Sequence, residues 1–330
     1  MVVPIMQRRK HPMDDLATLE QTAALVYRYM PPTLQYSWPL LCERTGAQVW
    51  VKHENHTPIG AFKLRGGLIY LDSLRREQPQ VTGIVCATRG NHGQSVSFAA
   101  RALGLQAVVV VPHGNSVEKN RAMRALGAEL IEHGHDFVAA FAHAEEISET
   151  RGLHLMPSYD PLLVRGVATY GLELFRAAPD LDTVYVPIGL GSGINGTIAA
   201  RDALGLKTKI VGVVAEQAAA YSLSFAAGKP VATNSADTVA DGVAVRVPDP
   251  AALEVILKGC ERVVTVSEDD IKAAMRAYFA DTHNVAEGAG ATPLAALLQE
   301  REKMAGKAVG LILTGGNVDT EVYQGVLAAA

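Results

Sequence analysis

Cysteine is scarce in this chain of 330 residues, which contains only three. Cys42, Cys86 and Cys260 lie far apart and are odd in number. Such a set provides neither a disulfide framework nor the short spacing of metal ligands. The scarcity argues against a disulfide-stapled secreted domain, and it favours a protein of the reducing cytoplasm.

Long apolar runs are also missing. A membrane-spanning helix needs about 18 or more consecutive apolar residues, and the sequence has no such run. The basic residues Arg8, Arg9 and Lys10 are not followed by the apolar core of a signal peptide. We therefore expect neither secretion nor contact with a membrane.

The chain has no large excess of charge of either sign. Its 30 basic and 34 acidic side chains give a formal net charge of -4, with histidine neutral. The sequence has no basic stripe interleaved with aromatic residues, so its charge pattern does not indicate a nucleic-acid partner. We expect a small-molecule ligand and no nucleic acid.

The sequence does have a regular alternation of short apolar runs with helical patterns. With 48% hydrophobic residues, a chain of this length can bury a sizeable core and form about two domains. The apolar runs cover residues 83–88, 107–111, 183–188, 209–215, 262–266 and 309–313. Nearly continuous apolar strands are typical of parallel sheets covered by helices, so we predict an open, doubly wound α/β fold. Ligands of such folds bind beyond the carboxyl ends of the strands.

The first candidate cluster contains Lys63, in the sequence Ala-Phe-Lys-Leu-Arg-Gly-Gly from residue 61. Small and apolar neighbours would desolvate the amine, lower its pKa and leave it free to form a Schiff base. The alternative is a solvated surface lysine at a helix start.

The second cluster, residues 88–95, follows a strand and opens a helix. The backbone N–H groups of such a turn and the amide of Asn91 can bind an anion or a ring oxygen. The alternative is an ordinary capped turn.

The third and fourth clusters are rich in glycine and also follow strands. Residues 189–196 read Gly-Leu-Gly-Ser-Gly-Ile-Asn-Gly, without the Lys-Ser/Thr ending of a nucleotide P-loop or the spacing of a dinucleotide fingerprint. This loop therefore indicates a phosphate that is not part of a nucleotide. In the fourth cluster, Thr314 precedes two glycines at the end of the last strand.

Together these clusters resemble the fold-type II family of pyridoxal-phosphate enzymes, in particular its threonine and serine dehydratase and serine racemase branch. The resemblance spans residues 33–319 and includes Thr-Val-Ala-Asp-Gly at residues 238–242. It implies pyridoxal 5'-phosphate as the cofactor and a two-domain, tryptophan synthase β-like fold with open, mostly parallel sheets flanked by helices.

The resemblance implies roles for individual residues. Lys63 would bind the cofactor covalently and carry the proton at the substrate Cα, with Phe62 packed beside the cofactor ring. Asn91 would bind the phenolic oxygen of the cofactor, and Thr314 would face its ring nitrogen. The remaining cofactor contacts would be Gly189, Leu190, Gly191, Ser192 and Gly193 at the phosphate, with Gly242 and Glu287 nearby.

The substrate carboxylate would lie at Thr88, Asn91 and His92. The implied reaction removes water from a β-hydroxy amino acid such as threonine or serine and yields a 2-oxo acid and ammonia. Two alternatives stay open: a β-replacement synthase of the cysteine synthase kind, and a non-catalytic ligand-binding relative.

The chain departs from the family at two places. Arg89 stands where serine racemases carry a serine, which argues against racemisation and allows a larger substrate such as 3-hydroxyaspartate or phenylserine. Glu216 and Ala220 match two ligands of a family metal site, but Ser222 replaces the aspartate. Hydrogen bonding of Glu216 to backbone is therefore favoured over metal binding.

The resemblance also predicts the domain organisation. Residues 1–52 and 158–330 would form a large cofactor-binding domain, with a small α/β domain of residues 53–157 inserted. A homodimer that acts on an amino acid in the cytoplasm is expected.

Overall fold

The computed structural model describes residues 15–329, so the cluster of Arg8, Arg9 and Lys10 lies outside the described residues. Within this range, ten strands form two sheets. The strands are β1 (Gln35–Ser37), β2 (Gln48–His53), β3 (Gly83–Ala87), β4 (Gln106–Val111), β5 (Glu129–Glu132), β6 (His154–Leu155), β7 (Thr183–Pro187), β8 (Lys209–Ala215), β9 (Arg262–Val266) and β10 (Ala308–Leu313).

Helices connect these strands and cover the sheets. They are α1 (Leu16–Val26), α2 (Pro39–Thr45), α3 (Lys63–Glu77), α4 (Asn91–Ala102), α5 (Val117–Ala125), α6 (Phe137–Arg151), α7 (Pro161–Ala177), α8 (Ser192–Ala203), α9 (Ala220–Ala227), α10 (Pro250–Gly259), α11 (Glu268–Thr282), α12 (Gly288–Gln299), α13 (Arg301–Met304) and α14 (Thr320–Ala328). Short 3₁₀ turns lie at Glu54–His56, Glu216–Ala218 and Asp241–Val243. Among residues 15–329, no helix has the length and apolar character that crossing a membrane requires.

The predicted α/β fold with mostly parallel sheets is confirmed. All six predicted strands are present, with bounds within a residue of the apolar runs. β3 and β7 are buried along their whole length, as central strands between helix layers should be. β9 is mostly half-buried because it forms an edge of its sheet.

The larger sheet has the strand order β1-β2-β10-β7-β8-β9, and only β1 is antiparallel to its neighbour. β10 therefore lies between β2 and β7, with Leu313 opposite His53 and Leu311 opposite Tyr185. Because the three strands run in parallel, their carboxyl ends meet at one edge. The segments that follow β2, β7 and β10 are thereby brought together.

The smaller sheet has the order β5-β4-β3-β6 and is entirely parallel. We refer to β3–β6 with α3–α6 as the small lobe, and to the larger sheet with the remaining helices as the large lobe. The domain boundaries at residues 52/53 and 157/158 stay a prediction.

The two lobes touch closely where α3 meets α7. A Cβ added to Gly166 would lie 2.3 Å from the Arg65 carbonyl oxygen, and one added to Gly66 would lie 2.8 Å from the Leu163 carbonyl oxygen. Both distances are shorter than a Cβ tolerates, so only glycine allows the two helices to pack backbone against backbone.

A buried network of charges joins the same two helices to β2. The Arg65 side chain is fully buried and donates to both oxygens of Glu54 and of Glu173 at 2.7–2.9 Å. Lys52, also fully buried, donates to Glu173 at 2.5 Å. Burial alone would raise the pKa of Glu173, but Arg65 and Lys52 outweigh it and lower the pKa. The four charges balance, so each is compensated inside the protein.

Replacement of Arg65 should be strongly destabilising. Arg65→Met leaves Glu54 and Glu173 buried with too little positive charge, and we expect a loss of about 3–5 kcal/mol in the free energy of unfolding. Urea denaturation followed by circular dichroism measures this loss.

Arg76→Met is the matched control, because Arg76 pairs with Asp72 on the same helix but its side chain is 70% exposed. Its expected effect is about 0.5 kcal/mol or less. Equal losses in the two variants would contradict the role assigned to the buried network.

Candidate active site

Lys63 lies at the first position of α3, just beyond the carboxyl end of β2. The preceding residues are held against the end of β10, because the Phe62 N–H donates to the Thr314 carbonyl oxygen at 3.0 Å and Ala61 forms a bridge with Gly315. These contacts place the lysine beside the end of the central strand.

The Lys63 amine lies in a desolvated environment, as the sequence predicts. Its nitrogen is 5.2 Å from the centre of the Phe62 ring. Burial lowers the pKa of Lys63 to about 8, against the opposing effect of the Glu287 carboxylate. A larger fraction of this amine than of an ordinary lysine is therefore neutral and nucleophilic near neutral pH.

The glycine-rich loop between β7 and α8 also lies against Phe62. A Cβ on Gly193 would be 3.7 Å from the Phe62 ring, and one on Gly189 would be 2.3 Å from the Gly242 carbonyl oxygen. Gly191 has a φ of 106° and caps α8 without a side-chain hydrogen bond. The first N–H groups of α8 are therefore suited to binding an anion.

The other members of the loop are held by its neighbours. The Leu190 carbonyl oxygen accepts a hydrogen bond from the Tyr221 hydroxyl at 2.9 Å, and Ser192 is the buried first residue of α8. Tyr170 packs edge-on against Phe62 and donates to the Gly193 carbonyl oxygen at 2.7 Å.

Asn91, the first residue of α4, belongs to the small lobe and faces the large lobe. Its amide nitrogen donates to Glu287 Oε1 at 2.7 Å, and its amide oxygen accepts from Asn317 at 2.8 Å. Asn317 also donates to the Ile59 carbonyl oxygen at 2.8 Å. Asn91 is thus fixed between two residues of the large lobe.

Thr88 and His92 form the rest of the helix start. The Thr88 hydroxyl oxygen accepts from the N–H groups of Gly90 and Gly93 at 3.0 and 3.3 Å. His92 is buried, and desolvation with the nearby Lys63 charge lowers its pKa to about 3. A neutral imidazole and the N–H groups of α4 can receive a carboxylate without adding a full charge.

Thr314 ends β10 and is buried with 4% of its surface exposed. Its carbonyl oxygen receives the Phe62 N–H, so the residue adjoins the segment that carries Lys63. The residue that follows the strand therefore carries a hydroxyl and not a carboxylate.

Three of the candidate residues make none of the contacts described above. Arg89 is exposed and forms no ion pair with any residue between 15 and 329. Glu216 is exposed and Ala220 is the buried first residue of α9. In the part of the chain that the structure describes, no three His, Cys, Asp or Glu side chains are grouped to hold a metal.

Sequence reasoning missed two contributors, Lys119 and Tyr170. Lys119 lies on α5 with its nitrogen 3.2 Å from Asp241 Oδ2 and 3.9 Å from Glu287 Oε2. Each contact joins residues that are far apart in the chain, so no local pattern signals it.

The geometry fits pyridoxal phosphate. A lysine amine with lowered pKa lies beside an aromatic ring, and the aromatic ring lies against an uncapped glycine-rich helix start. The amine suits the aldehyde of the cofactor and the helix start suits its phosphate. No side-chain carboxylate caps the helix start, so nothing in the loop repels a phosphate.

Comparison with known proteins leads to the same cofactor. Residues 31–315 match the family model described as "Pyridoxal-phosphate dependent enzyme". The L-threonine ammonia-lyase of Thermotoga maritima is 34% identical over 317 residues, which cover 96% of this chain and 78% of that protein.

Solved structures agree. A maize serine racemase superimposes with a TM-score of 0.89 at 26% identity and covers 96% of this chain and 98% of its own. The processed threonine deaminase isoform 2 of Solanum lycopersicum has a TM-score of 0.87 at 31% identity, with 100% of this chain and 99% of that chain covered. The chain belongs to the family of pyridoxal-phosphate dependent enzymes, in its fold-type II threonine and serine dehydratase branch.

Proposed function

We propose that this protein is an ammonia-lyase that removes water from a β-hydroxy amino acid and releases a 2-oxo acid and ammonia. One observation carries the proposal. A lysine with its pKa lowered to about 8 lies beside Phe62, and Phe62 lies against a helix start suited to phosphate, in a chain 34% identical to an L-threonine ammonia-lyase.

Lys63 is the proposed base. Bound pyridoxal phosphate acts as an electron sink and acidifies the Cα proton of an attached amino acid. The neutral Lys63 amine would accept that proton, and the β-hydroxyl would leave as water after gaining a proton from a nearby acid, so that the net change is the loss of one water. A carbon–carbon double bond forms, and the released enamine hydrolyses to the 2-oxo acid and ammonia.

The other residues bind and orient the reactants. The substrate carboxylate would lie at the start of α4, at Thr88, Asn91 and His92. The Thr314 hydroxyl is neutral and does not hold a proton on a ring nitrogen beside it, unlike a carboxylate. Prompt loss of the β-substituent suits such a site better than transamination.

Elimination is favoured over the two alternatives. The relatives with high coverage include an L-threonine ammonia-lyase and a threonine deaminase, which supports a lyase over a β-replacement synthase. A non-catalytic relative would have no need of a lysine with a lowered pKa in this position.

Arg89 favours an acidic substrate among the candidates. This guanidinium is exposed, pairs with no residue between 15 and 329, and lies just before α4, where no acidic residue occupies the first turn. A positive charge at a helix start is unfavourable without an anion nearby. We infer that the anion is a second carboxylate of the substrate, as in 3-hydroxyaspartate.

The protein is further proposed to act as a homodimer in the cytoplasm. Buried thiols at Cys86 and Cys260, and the absence of a disulfide between described residues, suit a reducing compartment. Exposed Leu34, Tyr36 and Leu40, near the edge strand β1, support association with a second copy.

Lys63→Ala should abolish turnover. The purified protein is mixed separately with serine, threonine, 3-hydroxyaspartate and phenylserine, without added thiol, and 2-oxo acid and ammonia are measured. We expect release from at least one substrate and a decrease of about 10²- to 10⁴-fold in the variant, because the base is lost.

Lys258→Ala is the control, since the Lys258 side chain is 73% exposed and pairs with Glu254 on the same helix. It should retain full activity. Bound cofactor without 2-oxo acid from any of the four amino acids would overturn the assignment.

Arg89→Ser should change substrate preference. We expect kcat/KM for 3-hydroxyaspartate to fall about 10- to 100-fold, the magnitude of one charged hydrogen bond, with little change for serine. Arg101→Ser is the matched control, because Arg101 lies at the opposite end of α4. A loss of phenylserine turnover alone would instead indicate that Arg89 stacks on an aromatic ring.

A further inference from the structure

Lys119 forms a buried charged contact between the two lobes. The residue belongs to α5 of the small lobe and has only 7% of its surface exposed. Its amine lies 3.2 Å from Asp241 Oδ2 and 3.9 Å from Glu287 Oε2, both in the large lobe. These three residues line one cavity of about 170 Å³. A lysine is seldom buried to this extent unless it is paired.

Glu287 uses its two oxygens for different partners. Oε1 accepts the hydrogen bond from Asn91 at 2.7 Å, whereas Oε2 faces Lys119. Glu287 also stands immediately before α12 without a side-chain capping hydrogen bond, and the start of a helix favours a negative charge. The charged groups that face it are Lys119 on α5, Asp241 in a 3₁₀ turn and Lys63 on α3.

The Asn91 amide has only one orientation that satisfies both neighbours. Its oxygen accepts from Asn317 and its nitrogen donates to Glu287. A flipped amide would set an oxygen against the Glu287 carboxylate and an NH₂ group against the Asn317 NH₂ group. An amide nitrogen carries two hydrogens, so the one not given to Glu287 is left for an oxygen of the cofactor.

We propose that Lys119 is a positioning residue: it holds Glu287 as a carboxylate and thereby fixes Asn91 as a hydrogen-bond donor toward bound pyridoxal phosphate. Lys119 and Glu287 belong to different lobes. The position of α5 therefore affects whether Asn91 presents its NH₂ group to the cofactor. The proposal rests on the cofactor and not on the identity of the substrate.

The direction in which Lys119 shifts the pKa of Glu287 is defined. Burial raises the pKa of Glu287, and Lys119 and the Asn91 hydrogen bond oppose that rise. Without the Lys119 charge, the pKa of Glu287 rises further, so protonated Glu287 accumulates as the pH falls. A protonated carboxyl no longer attracts the Asn91 N–H as strongly, and the amide loses its fixed orientation.

The test compares Lys119→Met, Glu287→Gln and the double variant with the unaltered protein, all in complex with pyridoxal phosphate and without amino acid. Two quantities are measured between about pH 6 and pH 9: the visible absorption spectrum and the dissociation constant of pyridoxal phosphate. Neither readout requires turnover, so a failure of the dehydratase assignment leaves this test intact.

Lys119→Met should add a pH-dependent spectral change to the pH profile of the unaltered protein. We expect its pyridoxal phosphate affinity to be about tenfold weaker at the low end of the pH range, approaching the unaltered value at the high end. Lys119→Arg, which keeps the charge, should restore the pH profile of the unaltered protein. In the Glu287→Gln background residue 287 no longer titrates, so Lys119→Met should add no pH dependence to that of the single variant.

Glu118→Gln is the matched control, because Glu118 also joins α5 to the large lobe, at the Thr320 N–H, without contacting Glu287. The proposal is overturned by an equal spectral change in Glu118→Gln, by an unchanged Lys119→Met protein, or by an undiminished effect in the double variant. Circular dichroism verifies folding, and Lys119→Gln replaces Lys119→Met if the latter does not fold.

Discussion

The parallel pairing of β10 with both β2 and β7 is the constraint on which the site depends. It places the last strand of the chain between strands from the first and middle parts, so three carboxyl ends lie side by side. Lys63, Thr314 and the glycine-rich loop follow those three ends. The Phe62–Thr314 hydrogen bond and the Ala61–Gly315 bridge extend the pairing beyond the strands and set the start of α3.

Within the first turn of α3, desolvation acts on two cations with opposite results. Arg65 donates to Glu54, Glu173, Thr33 and Thr169, and stays charged despite complete burial. Lys63, two residues earlier, makes no side-chain hydrogen bond to the described residues, and burial lowers its pKa. The same turn thus carries a structural cation and a reactive amine, and the difference lies in the partners that each receives.

Much of this arrangement could be predicted from the sequence because short, local sequence patterns indicate it. The central buried strands are apolar runs in the sequence. The motifs that follow strands contain Lys63, Asn91, the glycine loop and Thr314. The sequence analysis does not predict four strands. β1 and β6 have two or three residues and no apolar periodicity, β2 carries Lys52 and His53, and β5 has four residues and begins and ends with glutamate. Their burial depends on partners elsewhere in the chain.

The contacts between distant residues could not be predicted in the same way. Lys119 has the sequence context of an ordinary helical lysine, and only the fold brings it to Asp241 and Glu287. The orientation of the Asn91 amide likewise follows from Glu287 and Asn317. Conversely, Glu216 was singled out by its motif and lies exposed, outside the contacts around Lys63.

The glycine contact between α3 and α7 has a consequence for how mutations act on this protein. Gly66 lies one turn after Lys63, and its backbone packs against the backbone of α7. Gly166 of α7 packs in turn against the backbone of Arg65. A single methyl group at Gly166 has no room beside that carbonyl, so it would push the helices apart and tilt the turn that bears the reactive amine. The position of Lys63 is thus vulnerable to a change about a hundred residues away along the chain, at a residue that does not itself belong to the active site.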